Sequence, residues 1–259
     1  MKESYYLSAE VLNWYMFVES SGEANSQDCK RAYVIWSHAE NLLNRSVGAL
    51  DRVDVVTTLK RAMDQRLKLL TKEYMFSNIR LKTKSNKTLE LFQYLGIIRP
   101  LMLRKLLDIR NKVEHQDVAP PSKDICENFL DLVWYFLKST DSLLKRIPND
   151  FLFQDVSTQK EAYWISLSIS YSDWIPDIRG WCRPLDLTKV FHSDCINVIV
   201  DRLETKDSFI DREKVKNIPK FLAQDTGRGL KLEDVYFSGK VIGPECILEK
   251  IYKKIFETY

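Results

Sequence analysis

The spacing of the apolar residues changes once along this chain, near Ile147-Pro148-Asn149-Asp150, and that change restricts what it can fold into. From Tyr5 to about Lys145 apolar residues recur at helical spacing with few prolines, as in Tyr33, Trp36, Leu42 and Leu43, then Val55, Val56, Leu59, Ala62, Met63, Leu67 and Leu70. Breaks fall at Ser20-Ser21-Gly22, at Gly48 to Asp51, at Lys82-Thr83-Lys84-Ser85-Asn86-Lys87 and at Ala119-Pro120-Pro121, which leaves about five helices. The last of these is expected from Lys123 to Lys145, with Ser122 as its cap. Beyond Pro148, Tyr163, Ile165, Leu167, Ile169 and Tyr171 alternate with Trp164, Ser166, Ser168 and Ser170, the pattern of a strand with one buried face. Ile196, Val198 and Val200 give a second strand, and Val235 and Phe237 a third. Pro244 opens a closing helix striped by Ile247, Leu248, Ile251, Tyr252, Ile255, Phe256 and Tyr259. The expected fold is α+β: an all-α helical bundle over residues 1–147, followed by a smaller α+β region over 148–259.

A chain of 259 residues with 45% hydrophobic content can bury a sizeable core. Its 39 Lys+Arg against 36 Asp+Glu give no global field, so any affinity for nucleic acid has to come from a local patch. The cysteines at 29, 126, 182, 195 and 246 are odd in number and never spaced as C-x-x-C, which fits neither a disulfide framework nor a paired-cysteine metal site. The N-terminus lacks a signal-peptide core, and no stretch is long and apolar enough to span a bilayer. A soluble protein of the reducing cytoplasm is the expectation.

The segment with chemistry in it is Leu101 to Pro121. On a helix, Leu103, Leu106, Arg110 and Val113 share one side, so Arg110 continues an apolar stripe. A guanidinium there needs an anion or an acidic partner. A second line runs through Arg104, Asp108, Asn111 and His115 at steps of three and four. Arg110 and His115 lie roughly 140° apart around the axis, so one helix aims them at different targets. Two copies packed antiparallel about a twofold axis bring the Arg of each beside the His of the other.

Arg110, the polar Asn111, the spacer Lys112-Val113-Glu114 and His115 form an R-x4-H pattern, and here the sequence resembles the HEPN superfamily over roughly residues 1–147. The resemblance implies a helical bundle and an RNA endonuclease of host-defence or toxin type, acting as a homodimer. Arg110 and His115 would sit at its cleft with Asn111 in support, under the control of an inhibitory or activating protein partner. Some family toxins carry a Tyr two residues beyond the His, the target of an inactivating nucleotidyltransferase; this chain has Asp117 instead.

The chemistry is reasonable without the family. Cleavage of RNA through its own 2′-hydroxyl needs a group that moves protons near neutral pH and a fixed positive charge for the phosphate, the ordinary roles of His and Arg. Asp108 and Glu114 fall on different faces beside Arg104, Arg110 and Lys112, so no metal site and no cofactor is expected. Arg104 and Lys112, together with Lys82, Lys84 and Lys87 ahead of the helix, are the candidate contacts to RNA phosphates. Two alternatives are a non-catalytic helical module for dimerisation or RNA binding, and a nucleotide sensor whose Arg110 grips a phosphate. Cys182, His192 and Cys195 are too irregularly spaced for zinc, Gly227-Arg228-Gly229 reads as a turn, and His38 and the strand aromatics read as packing or surface residues.

Overall fold

The computed structural model describes residues 3–46, 48–81, 88–99, 101–115, 119–157, 163–191, 194–208 and 230–257. The chain divides into two compact units. One comprises Met1–Ser21, Asn78–Thr83 and Pro148–Thr258; the other comprises Gly22–Ser77 and Lys84–Ile147.

The helical unit holds α1 (Ser26–Arg45), α2 (Ala49–Glu73), α3 (Thr88–Tyr94), α4 (Leu101–His115), α5 (Lys123–Ser139) and α6 (Asp141–Lys145). Polar side chains cap several of them. Asn25 Oδ1 accepts from Gln27 N at 2.9 Å, Gly48 N donates to the Asp51 carboxylate at 3.0 Å, and Ser122 Oγ accepts from Ile125 N at 3.3 Å. The expected helix from Lys123 to Lys145 is two helices. Thr140 Oγ1 donates to the carbonyls of Phe136 and Leu137, satisfying acceptors at the end of α5 before α6 begins. The core lies along α2, where Val55, Leu59, Ala62, Met63 and Leu70 are buried, and α1, α4 and α5 pack on α2.

The expectation of an all-helical first half is overturned at its start. Glu3–Ser8 is a strand, β1, and Tyr15–Gly22 is a strand, β2, joined by a short 3-10 turn over Ala9–Asn13. Both belong to an eight-stranded sheet with β3 (Ile147–Gln154), β4 (Trp164–Ile169), β5 (Pro176–Cys182), β6 (Leu187–Thr188), β7 (Cys195–Thr205) and β8 (Val235–Gly243), in the order β2-β3-β4-β5-β8-β7-β1-β6. The reason is tertiary. β1 pairs antiparallel with β7, Tyr5 opposite Val198 and Leu7 opposite Ile196, a partner that no local spacing reveals. The region after Pro148 is accordingly not a minor appendage, since it supplies six of the eight strands.

Two glycines let the central strands approach closely. A Cβ on Gly180 of β5 would lie 2.0 Å from Trp164 O, and one on Gly239 of β8 would lie 2.2 Å from Ile199 O. The closing helix α7 (Glu245–Glu257) buries Ile247, Leu248, Ile251, Tyr252, Ile255 and Phe256, and Tyr252 donates its hydroxyl to Trp174 O at 2.6 Å.

Candidate functional site

Helix α4 carries the Arg110–His115 segment. Leu103 and Leu106 are 3% and 0% exposed, and four residues beyond Leu106 the same side of the helix offers half-buried Arg110. The guanidinium stands where the buried stripe leaves the core, and its Nη1 donates to Asn111 Oδ1 at 3.1 Å. The backbone is helical through His115, so the roughly 140° between positions 110 and 115 holds in the folded chain. The side chains of Val113, Glu114 and His115 lie outside the described residues, as do Lys82, Lys84 and Lys87.

The other two candidates are brought to different places. Arg104 donates from Nη2 to Gln93 Oε1 of α3 at 2.9 Å and, with Leu107, lines a cavity of about 550 Å³ against Met63, Asp64 and Leu67 of α2. Lys112 lines a separate groove of about 730 Å³ with Lys105 and Ile109 of α4 and Ile125, Phe129 and Tyr135 of α5. The structure thus joins Arg110 to Asn111 and assigns Arg104 and Lys112 to separate grooves.

Sequence patterning missed a buried ion pair in the same unit. Arg66 is 0% exposed; its Nη1 reaches Asp141 Oδ1 at 2.9 Å and its guanidinium lies over the Tyr33 ring at 5.5 Å. Tyr33 donates to Asp141 Oδ2 at 2.8 Å, and burial, then Asp141, pushes its phenol well above the usual tyrosine range. The available signal was a cationic Arg66 set among Ala62, Met63, Leu67 and Leu70 on α2.

The sheet unit has a second ionic cluster, where β3, β5 and β8 end or begin. Asp155, 3% exposed, pairs with Arg183, whose guanidinium lies over the Tyr163 ring at 5.0 Å. Asp234, 1% exposed, accepts from the Tyr163 hydroxyl at 3.1 Å. Burial and then Asp234 push the Tyr163 phenol up to about 12. Asp186 accepts from Arg183 N at 3.2 Å; burial raises its pKa, as do the carboxylates of Asp155 and Asp234. Each carboxylate has a donor, which makes this a structural network that ties strand ends together.

Cys182 and Cys195 are buried, on β5 and β7 with β8 between them, and burial pushes the Cys182 thiol up. His192 and the Gly227-Arg228-Gly229 segment, read above as a turn, lie outside the described residues. His38 is exposed on α1, and Tyr163, Tyr171, Trp174 and Trp181 are buried. Among the described residues no helix is long and apolar enough to cross a membrane. No protein-family profile, curated protein or solved structure matches the chain.

Proposed function

We propose that the helical unit is a metal-independent RNA endonuclease of the HEPN kind, acting as a homodimer through Arg110, Asn111 and His115. One observation carries this reading: an unbroken α4 places half-buried Arg110, hydrogen-bonded to Asn111, at the edge of the core, with His115 five residues on. Arg110 supplies fixed charge where the scissile phosphate gains it. His115 moves the proton. The substrate's 2′-oxygen attacks phosphorus and loses its proton, while the departing 5′-oxygen gains one, leaving a 2′,3′-cyclic phosphate and a 5′-hydroxyl. The angular separation of the two residues on one helix supports a twofold dimer, in which each cleft draws Arg from one copy and His from the other.

Purified protein is incubated with single-stranded RNA in EDTA, alongside Arg110→Ala and His115→Gln variants. Cleavage should persist in the parent and end in cyclic phosphate. Each variant should lose about 10²–10⁴-fold in rate with its helical content unchanged. Products ending in 5′-phosphate, or variants that cut as fast as the parent, would refute the assignment.

A further inference from the structure

The cavity beside Arg104 does not stand alone. It adjoins a second cavity of about 590 Å³, and the two share Asp64, Leu67 and Thr88, so they form one continuous groove along α2. Its α2 wall runs from Met63 to Lys72, roughly 14 Å at 1.5 Å per residue, and Met75 lines it just beyond the end of α2. Asp64, Lys68 and Lys72 follow one another at four-residue steps on that wall, so the two lysine side chains line the same side of the helix. Thr71, Ser77 and Thr88 add hydroxyl groups, and Met63, Leu67 and Leu107 give an apolar floor.

The charge along this groove favours an anionic chain. Lys68 and Lys72 are exposed, and Lys72 contacts Asp28 and Glu73 loosely, at 3.6 Å. Arg104 is held by a neutral amide and so keeps its full charge available to the groove. Of the two lining carboxylates, Asp64 is paired with Lys60, and Glu90 stands at the α3 end. The groove ends one turn of α4 short of the candidate site. Leu107 lies on its floor, and the next turn of α4 after Leu107 presents Arg110 and Asn111.

We infer that this α2 groove is the track that holds a single strand of RNA on its way to Arg110, with Lys68 and Lys72 contacting successive phosphates and Thr71 and Arg104 beside them. The inference rests on the proposed ribonuclease reading and deepens it. The apolar floor between cationic walls suits unpaired bases above a tracked backbone, the general arrangement for single-strand binding. A duplex would present only its phosphates to such a floor.

The test uses the full chain and a fluorescent single-stranded RNA whose 2′-methoxy groups block cleavage, with binding read by anisotropy across a salt series. The double substitution Lys68→Glu, Lys72→Glu should weaken binding at least tenfold. Removing two phosphate contacts should also flatten the slope of log affinity against log salt by roughly 1.4, about 0.7 for each. A charge-matched control, Lys105→Glu with Lys123→Glu on the α4/α5 side, should bind like the parent. Equal binding by the groove variant, equal loss in the control, or preference for duplex RNA or for a peptide over single-stranded RNA would overturn the inference. If groove-dependent binding appears while unmodified RNA is never cut, the catalytic reading alone fails. If RNA is cut but the groove variant cuts and binds as the parent does, the groove assignment alone fails.

Discussion

Asp141→Asn measures what a buried charge costs this fold once its counter-ion is gone. Arg66 is 0% exposed, its ion pair with Asp141 is 2.9 Å long, and the Thr140 hydroxyl at 3.4 Å is a poor substitute. Its Nε and Nη2 find no hydrogen-bond acceptor among the described residues, so no second acceptor stands ready to take over from a lost carboxylate. Breaking such a pair from one side costs about 3–5 kcal/mol. The Asn oxygen that stays in place recovers about 0.5–1.5 kcal/mol of this as a neutral acceptor, leaving a net loss of about 2–4 kcal/mol. The reverse change is milder. In Arg66→Met the carboxylate left behind is 20% exposed and still accepts from the Tyr33 hydroxyl at 2.8 Å. That variant should lose about 1 kcal/mol, near the worth of one hydrogen bond. Urea denaturation followed by the helical circular-dichroism signal compares the two, with the midpoint and slope fitted separately so that uncoupled unfolding of the two units is visible. An Asp141→Asn midpoint equal to or above that of Arg66→Met would show that Arg66 is not stranded, and the argument from burial would fall.

Gly239→Ala should destabilise the sheet at or beyond the ~1–3 kcal/mol typical of overpacking, because its Cβ would lie 2.2 Å from Ile199 O and backbone has to move; a thermal melt matching the parent's would contradict this. Asp186→Asn keeps an oxygen for Arg183 N but removes a carboxyl whose pKa is raised by burial and then by its acidic neighbours. A raised folded pKa means stability that is complete below the ordinary carboxylate range and lost as pH rises through the folded value. The variant should therefore gain on the parent as pH goes from about 4 to 7, and a constant or shrinking difference would exclude this effect.

How much of this was legible depends on how far away each residue's partner lies. Ser122 was readable as a cap because its acceptor role is settled within one turn, by Ile125 N. The stripe of α7 was readable for the same reason: Ile247, Ile251 and Ile255 repeat at four-residue steps on a helix that needs only one apolar surface beneath it. β1 and β2 were not. Their apolar residues, Tyr5 to Leu7 and Tyr15 to Val18, flank a 3-10 turn, and a window wide enough to detect a helix merges the two strands into one amphipathic pattern. The aromatic and β-branched content of Tyr15, Phe17 and Val18 was the signal for a strand. β3 carries Pro148 near its start, and the stretch from Ile147 to Asp150 that reads as the boundary between the two halves is in fact the beginning of a strand.

The candidate site was half legible, for a geometric reason. Periodicity places Arg110 on the line of Leu103 and Leu106, and the burial of those two residues follows from the pattern alone. Periodicity does not say what stands opposite each face of α4. Arg104 and Lys112 are eight residues apart, about 80° around the axis, close enough on a helical projection to look like one cationic surface. In the folded chain α2 and α3 wall off the first, and α5 walls off the second. That division bears on the proposed chemistry. On the proposed reading, a strand lying along Lys68, Lys72 and Arg104 would approach Arg110 and Asn111 from the α2 side, whereas position 115 is turned roughly 140° from position 110. On the proposed reading, one copy would offer a path and a phosphate-binding charge, and the His115 that completes the site would come from the α4 of a second copy.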